Sequence, residues 1–393
     1  MPTTNSAVKH LYCPKCRAQY DIATVINLCQ CGSPLLVDYD FDAASHALTP
    51  ESLTTRNTGM WKYREVLPVR DTDNIVTLGE GGTPLLPSRV LGQQLGCEQV
   101  YFKDESGNPT GSFKARGLSM AVSKAKELSI KRLIIPTAGN AGSALAAYAA
   151  RAGMEVCVLM PKDSPSPFLI DCRTHGARVM LIDGTIKDCG EKAARMVADE
   201  GWFSVATLKE PYRIEGKKTM GYELAEQFKF DLPDVIIYPT GGGTGLIGMW
   251  KAFGEMEKLG WLSGKKPRMV SVQSEGCAPI VRAFQKGAGH AELWAEPHTC
   301  ASGLRVPSAI GDFLILDAVR QSGGTAVSVS EADILRYSNE LASKEGIFPA
   351  PEGGASVAAL KKLRDEGKIR ADERVVVFIT GSGYKYLDVF DKP

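Results

Sequence analysis

The residues best equipped for chemistry lie in the run Asn108-Pro109-Thr110-Gly111-Ser112-Phe113-Lys114-Ala115-Arg116-Gly117. Asn-Pro initiates a turn, Gly111 frees the backbone, and an apolar-periodic segment, Leu118 to Ile130, follows. Lys114 is therefore expected at a loop-to-helix junction. Backbone N–H groups and the positive end of a helix dipole disfavour an ammonium there. They favour the neutral amine that attacks a carbonyl to form a Schiff base.

Three further segments carry matching chemistry. Tyr238-Pro239-Thr240-Gly241-Gly242-Gly243-Thr244-Gly245-Leu246 reads as a strand, a glycine-rich loop and a helix start, where successive N–H groups and the helix dipole suit a phosphate. Gly243 to Gly248 fits G-x-G-x-x-G, but the next strand, Met269–Val272, runs into Gln273 and not an acidic residue. No Gly-Lys-Ser/Thr follows either, so neither a dinucleotide fingerprint nor a P-loop is present. Thr137-Ala138-Gly139-Asn140-Ala141-Gly142-Ser143 joins a strand to a small-residue helix and offers the directional amide of Asn140. Ile379-Thr380-Gly381-Ser382-Gly383 closes the last strand with a hydroxyl. Each loop alone reads equally well as a plain turn or a helix cap. Together with Lys114 they supply what pyridoxal phosphate needs: a lysine for its aldehyde, a nest for its phosphate, an amide for its ring hydroxyl and a hydroxyl for its ring nitrogen. A hydroxyl, unlike a carboxylate, does not hold that nitrogen protonated, which suits elimination and replacement beyond the α-carbon.

Residues 1–40 have a separate character. Cys13-Pro14-Lys15-Cys16 and Cys29-Gln30-Cys31, among short β-like runs, resemble a zinc ribbon in which Cys13, Cys16, Cys29 and Cys31 ligate one structural zinc. The other reading is a metal-free remnant. The remaining six of the ten cysteines are scattered singly and read as reduced thiols in a cytoplasmic protein.

A net charge of +1 gives no footprint for nucleic acid or an anionic membrane. No apolar run reaches the length of a membrane span, and the start, Met1–Val8, has no signal-peptide core. The five histidines show no ligand spacing and read as structural or surface residues.

The elements that must position these groups alternate. β-like runs are expected at Val100–Lys103, Arg132–Pro136, Glu155–Met160, Arg178–Ile182, Phe203–Ala206, Val235–Tyr238, Met269–Val272 and Val375–Ile379. Helical periodicity fills Ala141–Ala152, Lys187–Glu200, Gly221–Lys229 and Gly245–Lys258. This rhythm predicts an α/β protein on parallel sheets, with ligands at the carboxyl ends of strands, where the unusual loops fall. Tyr39 to about Gly59 is polar and reads as a linker or surface crossing.

On these motifs the chain resembles the fold-type II pyridoxal-phosphate enzymes, the tryptophan-synthase-β-like group, and within it the threonine synthases. The resemblance spans nearly the whole chain, adding Leu78-Gly79-Glu80-Gly81-Gly82-Thr83-Pro84-Leu85 and Glu215-Gly216-Lys217-Lys218-Thr219 to the segments above. It implies two doubly wound α/β domains with the cofactor in the cleft between them: a larger one of 60–115 and 210–393, a smaller one of 116–209, and the ribbon of 1–40 in front. By the same resemblance Lys114 is the Schiff-base lysine and the base at the α-carbon. Phe113, Asn140, Gly241, Gly242, Gly243, Thr244, Gly245 and Thr380 hold the cofactor, while Thr137, Gly139, Ala141, Arg213 and Lys217 bind substrate. The implied reaction converts O-phospho-L-homoserine and water to L-threonine and phosphate, with a small amino acid as the only expected partner besides a second copy of the chain in a homodimer.

Two positions depart from that family. Threonine synthases usually carry Ser-Phe-Lys-Asp-Arg-Gly, where this chain has Ala115, and Asn-Pro-x-Arg, where it reads Glu210-Pro211-Tyr212-Arg213. Glu210 repels a phosphate dianion unless paired, and Lys209, Lys217 and Lys218 are near enough in sequence to offset it. Arg213 is expected on the substrate phosphate, the other possibility being an ion pair with Glu210 or Glu215. Both departures favour the alternative activity, a threonine or serine ammonia-lyase working by β-elimination. An inactive cofactor-binding protein is the third reading, and the intact Lys114, Asn140 and glycine loop stand against it.

Overall fold

The computed structural model describes residues 6–391. Residues 1–5, on which most of the signal-peptide reading rests, lie outside the described residues.

Three sheets organise the chain. The first is antiparallel, with β1 (Val8–Tyr12) between β2 (Gln19–Asp21) and β3 (Leu36–Tyr39). The largest contains β4 (Leu85–Pro87), β5 (Gln99–Asp104), β10 (Val235–Pro239), β11 (Arg268–Ser274), β12 (Thr325–Val329) and β13 (Arg374–Ile379) in the order β12-β11-β10-β13-β5-β4. Only β4 runs antiparallel to its neighbour. The third sheet, β8-β7-β6-β9, is parallel throughout and uses β6 (Arg132–Pro136), β7 (Glu155–Pro161), β8 (Arg178–Ile182) and β9 (Phe203–Ser204). Strands covered by helices on both faces read as unbroken apolar runs. Val235–Pro239 is buried at every position, and the inner positions of Arg374–Ile379 pair Val377 with Ile237 on one side and Phe102 on the other. The fold-type II α/β architecture is the one the sequence leads one to expect.

The sequence reading misses some elements. β12 and the short edge strand β4 carry too few consecutive apolar residues to stand out. The helix expected at Gly221–Lys229 spans Arg213–Gln227. Its first turns bury Arg213, Glu215, Lys217 and Lys218, so charged residues occupy the inward face and break the apolar period. Segment 40–59 is no surface linker. Helices Phe41–Ser45, capped by Asp40, and Pro50–Leu53, with a Thr49–Ser52 capping box, bury Ala44 and Leu53 in the main core, and Leu48 of the turn between them joins it.

Candidate active site

The carboxyl ends of β6, β10 and β13 converge on a cleft of about 490 Å³. The lysine loop reaches it because it is fastened on both sides. Phe113 N–H donates to Thr380 O at 3.0 Å and Ser382 N–H to Gly111 O at 3.0 Å. Behind it, the Arg116 guanidinium is fully buried between Glu105 (2.7 Å) and Glu223 (3.0 Å), and Lys103 pairs with Glu223. Glu223 also accepts the N–H groups of Gly82 and Thr83, and Asn108 Oδ1 that of Gly81. The Gly79–Leu85 and Asn108–Gly117 motifs are thus two sides of one buried ionic network. Removing one member leaves an uncompensated charge in the interior, so the network fixes where the lysine stands.

Lys114 is the first residue of the helix Lys114–Glu127. Its Nζ lies 3.9 Å from the Phe113 ring centroid, and among the described residues it has no hydrogen-bond or ion-pair partner. Burial and the Arg213 charge lower its pKa to about 7, against an opposing pull from Glu352. A large share of the amine is therefore neutral and nucleophilic near neutral pH.

The glycine loop leads from β10 into the helix Thr244–Lys258. Among the described residues no protein acceptor takes the N–H of Gly241, Gly242, Gly243, Thr244 or Gly245, which leaves a row of free donors at a helix N-terminus. Gly243 has φ +79°, and a Cβ there would strike Ile315. A Cβ would strike Gly303 O at Gly241, the Thr207 methyl at Gly242 and the Tyr238 ring at Gly245. The same tight packing keeps these positions bare, and all five residues line the cleft.

Across the cleft, Gly139 precedes the helix Asn140–Ala152, so Asn140 is its first residue and not its side-chain cap. The Asn140 amide donates to the Tyr386 hydroxyl at 3.1 Å, while its Oδ1 is buried without a partner among the described residues. Thr137, Gly139, Ala141 and Thr380 also line the cleft. Glu352 and Tyr386 are among the lining residues that escape the sequence reading. Glu352 accepts the Gly303 N–H at 2.6 Å, and burial raises its pKa. Tyr386 comes from the C-terminal turn. Neither sits in a recognisable motif; Glu352 is signalled only as an acid opening a helix after Pro351. None of the histidines lines the cleft.

Arg213 and Lys217 lie behind the cleft wall, both fully buried. Arg213 Nη1 donates to Val205 O at 2.7 Å and to Thr207 Oγ1 at 3.4 Å; among the described residues its Nε and Nη2 are buried with no partner. Lys217 Nζ donates to Thr244 Oγ1 at 2.7 Å and lies 4.5 Å from the Phe113 ring centroid. The alternative ion pair of Arg213 with Glu210 or Glu215 is not formed. Glu210 instead turns its carboxylate to the N–H groups of Tyr212 (2.7 Å) and Arg213 (3.1 Å), and burial raises its pKa to about 7. Of the three lysines expected to offset it, only Lys217 acts on Glu210; Lys209 is exposed and Lys218 pairs with Glu215 and Glu255. Ala115 is fully buried in the core of the β6–β9 unit, so the absence of the family's aspartate there leaves no gap in the cleft.

Pyridoxal phosphate fits these groups on structural grounds: a free amine, a row of unclaimed N–H donors at a helix start, and an amide oxygen without a partner, all on residues that line one cleft. A separate cluster lies in the ribbon. Cys13, Cys16, Cys29 and Cys31 bring their Sγ atoms within 4.8 Å of one another, the spacing of a tetrahedral thiolate site, where Zn–S of about 2.3 Å sets sulfurs ~3.8 Å apart. All ten cysteines are free.

Fold and cleft define an enzyme class in which a buried lysine and a glycine loop with free N–H donors line one cleft. Residues 76–381 match the model of the pyridoxal-phosphate dependent enzymes. The chain is 37% identical to the threonine synthase of Methanocaldococcus jannaschii over 96% of its length and 93% of that protein's. It is 38% identical to the threonine synthase of Methanosarcina acetivorans, covering 98% and 95%. A crystal structure of the T.th. threonine deaminase superposes with a TM-score of 0.64 at 27% identity, over 76% of this chain and 92% of that one. The chain belongs to the pyridoxal-phosphate dependent lyases and, within them, to the threonine-synthase group.

Proposed function

We propose that the enzyme is a threonine synthase, forming L-threonine and phosphate from O-phospho-L-homoserine and water. The observation that carries the substrate is Arg213: two of its guanidinium nitrogens are buried without partners among the described residues, and burial together with the nearby Lys114 and Arg213 charges disfavours the ammonium of Lys217, a strain that an anion would relieve. A deaminase substrate brings no second anion to such a place. The extent of identity to threonine synthases supports the same reading.

In this assignment Lys114 holds the cofactor aldehyde, Gly241 to Gly245 its phosphate, Asn140 its ring hydroxyl and Thr380 its ring nitrogen, with Phe113 beside the lysine. Bound pyridoxal phosphate supplies the electron sink that makes protons at the α- and β-carbons removable. Lys114 Nζ takes the α-proton and later moves protons at the β-carbon. Arg213 and Lys217 hold the γ-phosphate and stabilise it as it leaves; Thr137, Gly139 and Ala141 face the amino-acid end. Glu210, turned onto backbone N–H groups, keeps its charge away from that phosphate. The Cys13–Cys31 cluster holds one structural zinc, the units 116–209 and 60–115 with 210–393 act as the two jaws of the cleft, and the enzyme works as a cytoplasmic homodimer. Phosphate release from O-phosphohomoserine, measured beside oxo-acid formation from threonine and serine, tests the assignment. Faster deamination than phosphate release would replace it with the ammonia-lyase.

A further inference from the structure

One side chain of the ribbon reaches the loop that carries the acceptors of Arg213. Asn27, two residues before Cys29, spends both amide hydrogens on the body of the enzyme: Nδ2 donates to Ser204 O at 2.8 Å and to Lys209 O at 2.7 Å. These carbonyls bracket the loop between β9 and the Arg213 helix. Inside the bracket lie Val205 and Thr207, the acceptors of the Arg213 guanidinium, and Thr207 lines the cleft. Immediately outside it lies Glu210, whose carboxylate caps the N–H groups of Tyr212 and Arg213.

The bracketed loop does not hold its own shape easily. Leu208 has φ +56°, a left-handed conformation that a γ-branched residue adopts only under constraint from its surroundings. Its internal ties are Lys209 N–H to Ala206 O at 3.0 Å and a long bond from Ala206 N–H to Ser204 Oγ at 3.4 Å, and Val205 N–H holds it to Ile134 O at 2.9 Å. The Asn27 amide closes both ends from outside. We infer that Asn27 is a positioning residue for substrate-phosphate recognition, and that the ribbon serves to deliver it to the 204–209 loop. This rests on the reading of Arg213 as the phosphate ligand. The side-chain amide meets two carbonyl oxygens with two donors on one planar, uncharged group.

The test uses the full-length holoenzyme and reads KM and kcat for O-phosphohomoserine, and inhibition by inorganic phosphate. Asn27→Ala is expected to raise KM and the phosphate inhibition constant in parallel, about three- to tenfold for the loss of two hydrogen bonds, with kcat and cofactor absorbance retained. Asn27→Asp, which turns an acceptor toward both carbonyls, is expected to do at least as much harm. Unchanged KM and phosphate inhibition in both variants would overturn the inference, as would a joint collapse of kcat, cofactor retention and melting temperature, the signature of a merely structural contact. Arg213→Ala separates the two readings. If it leaves phosphate inhibition intact, the phosphate assignment itself fails; if it weakens inhibition while the Asn27 variants do not, only the role of Asn27 falls.

Discussion

Lys114 is held without a polar partner among the described residues, so replacing it removes an isolated amine and breaks no ion pair. Lys114→Ala is expected to abolish turnover and the visible absorbance of a lysine-held cofactor while leaving the melting temperature unchanged or slightly higher. Normal turnover would refute the assignment. Its lowered pKa, about 7, predicts a pH dependence in the apoenzyme. Below that value the amine is protonated and cannot attack; above it the amine is free. Cofactor capture at low cofactor concentration should therefore rise about tenfold from pH 6 to pH 8 and flatten beyond, whereas an ordinary lysine would give a rise continuing past pH 9. Arg213→Ala removes a charge-assisted contact worth about 1.5–3 kcal/mol, so KM for O-phosphohomoserine should climb more than tenfold while side deamination of threonine changes little. Glu210→Asn keeps an oxygen for the Tyr212 and Arg213 N–H groups and removes a negative charge, so phosphohomoserine turnover should improve or hold. Loss of all activities together in Arg213→Ala would make the arginine structural.

At the scale of elements, the glycine loop shows how packing and ligand binding share one set of residues. Gly243→Val meets two obstacles, a positive φ and the Ile315 side chain, so it should cost about 1–3 kcal/mol of stability as well as cofactor affinity. Gly242→Ala meets only a threonine methyl, so it should weaken cofactor binding with the smaller loss in melting temperature. If Gly243→Val lowers affinity alone, the clash is relieved elsewhere and Ile315 does not shape the nest. The strands whose ends carry these loops are legible in the sequence because parallel, doubly covered strands are written as apolar runs: Val235–Pro239, Arg132–Pro136 and Arg374–Ile379 match their sequence patterns to within a residue. The start of the Arg213 helix is not, because charged side chains buried in pairs defeat any rule based on apolar periodicity. Glu352 and Tyr386 are invisible for a related reason. Each reaches the cleft through tertiary folding, and no local motif marks either residue.

At the scale of the whole molecule, the ribbon explains how a segment far from the chemistry can affect it. Cys29 is two residues from Asn27, and the cluster that Cys29 shares with Cys13, Cys16 and Cys31 becomes a rigid anchor for it once a metal is bound. If one zinc sits there, metal analysis should find about one per chain in the parent and none in a Cys13→Ser, Cys16→Ser double variant. The ribbon also touches the Arg213 helix through Tyr39, whose hydroxyl donates to Glu215 at 2.8 Å and whose ring lies under Lys218. Loosening the cluster should leave those buried contacts in place, since β3 stays packed against the core, and should free chiefly the Asn27 turn. The double variant is then expected to keep its cofactor absorbance and most of its kcat, and to raise KM for O-phosphohomoserine as Asn27→Ala does. Combining the two changes should add little, because both release the same loop. Additive effects would mean that cluster and amide act separately on the enzyme, and a parent free of metal would leave the four thiols as a packed remnant with Asn27 held by the β1–β3 sheet alone.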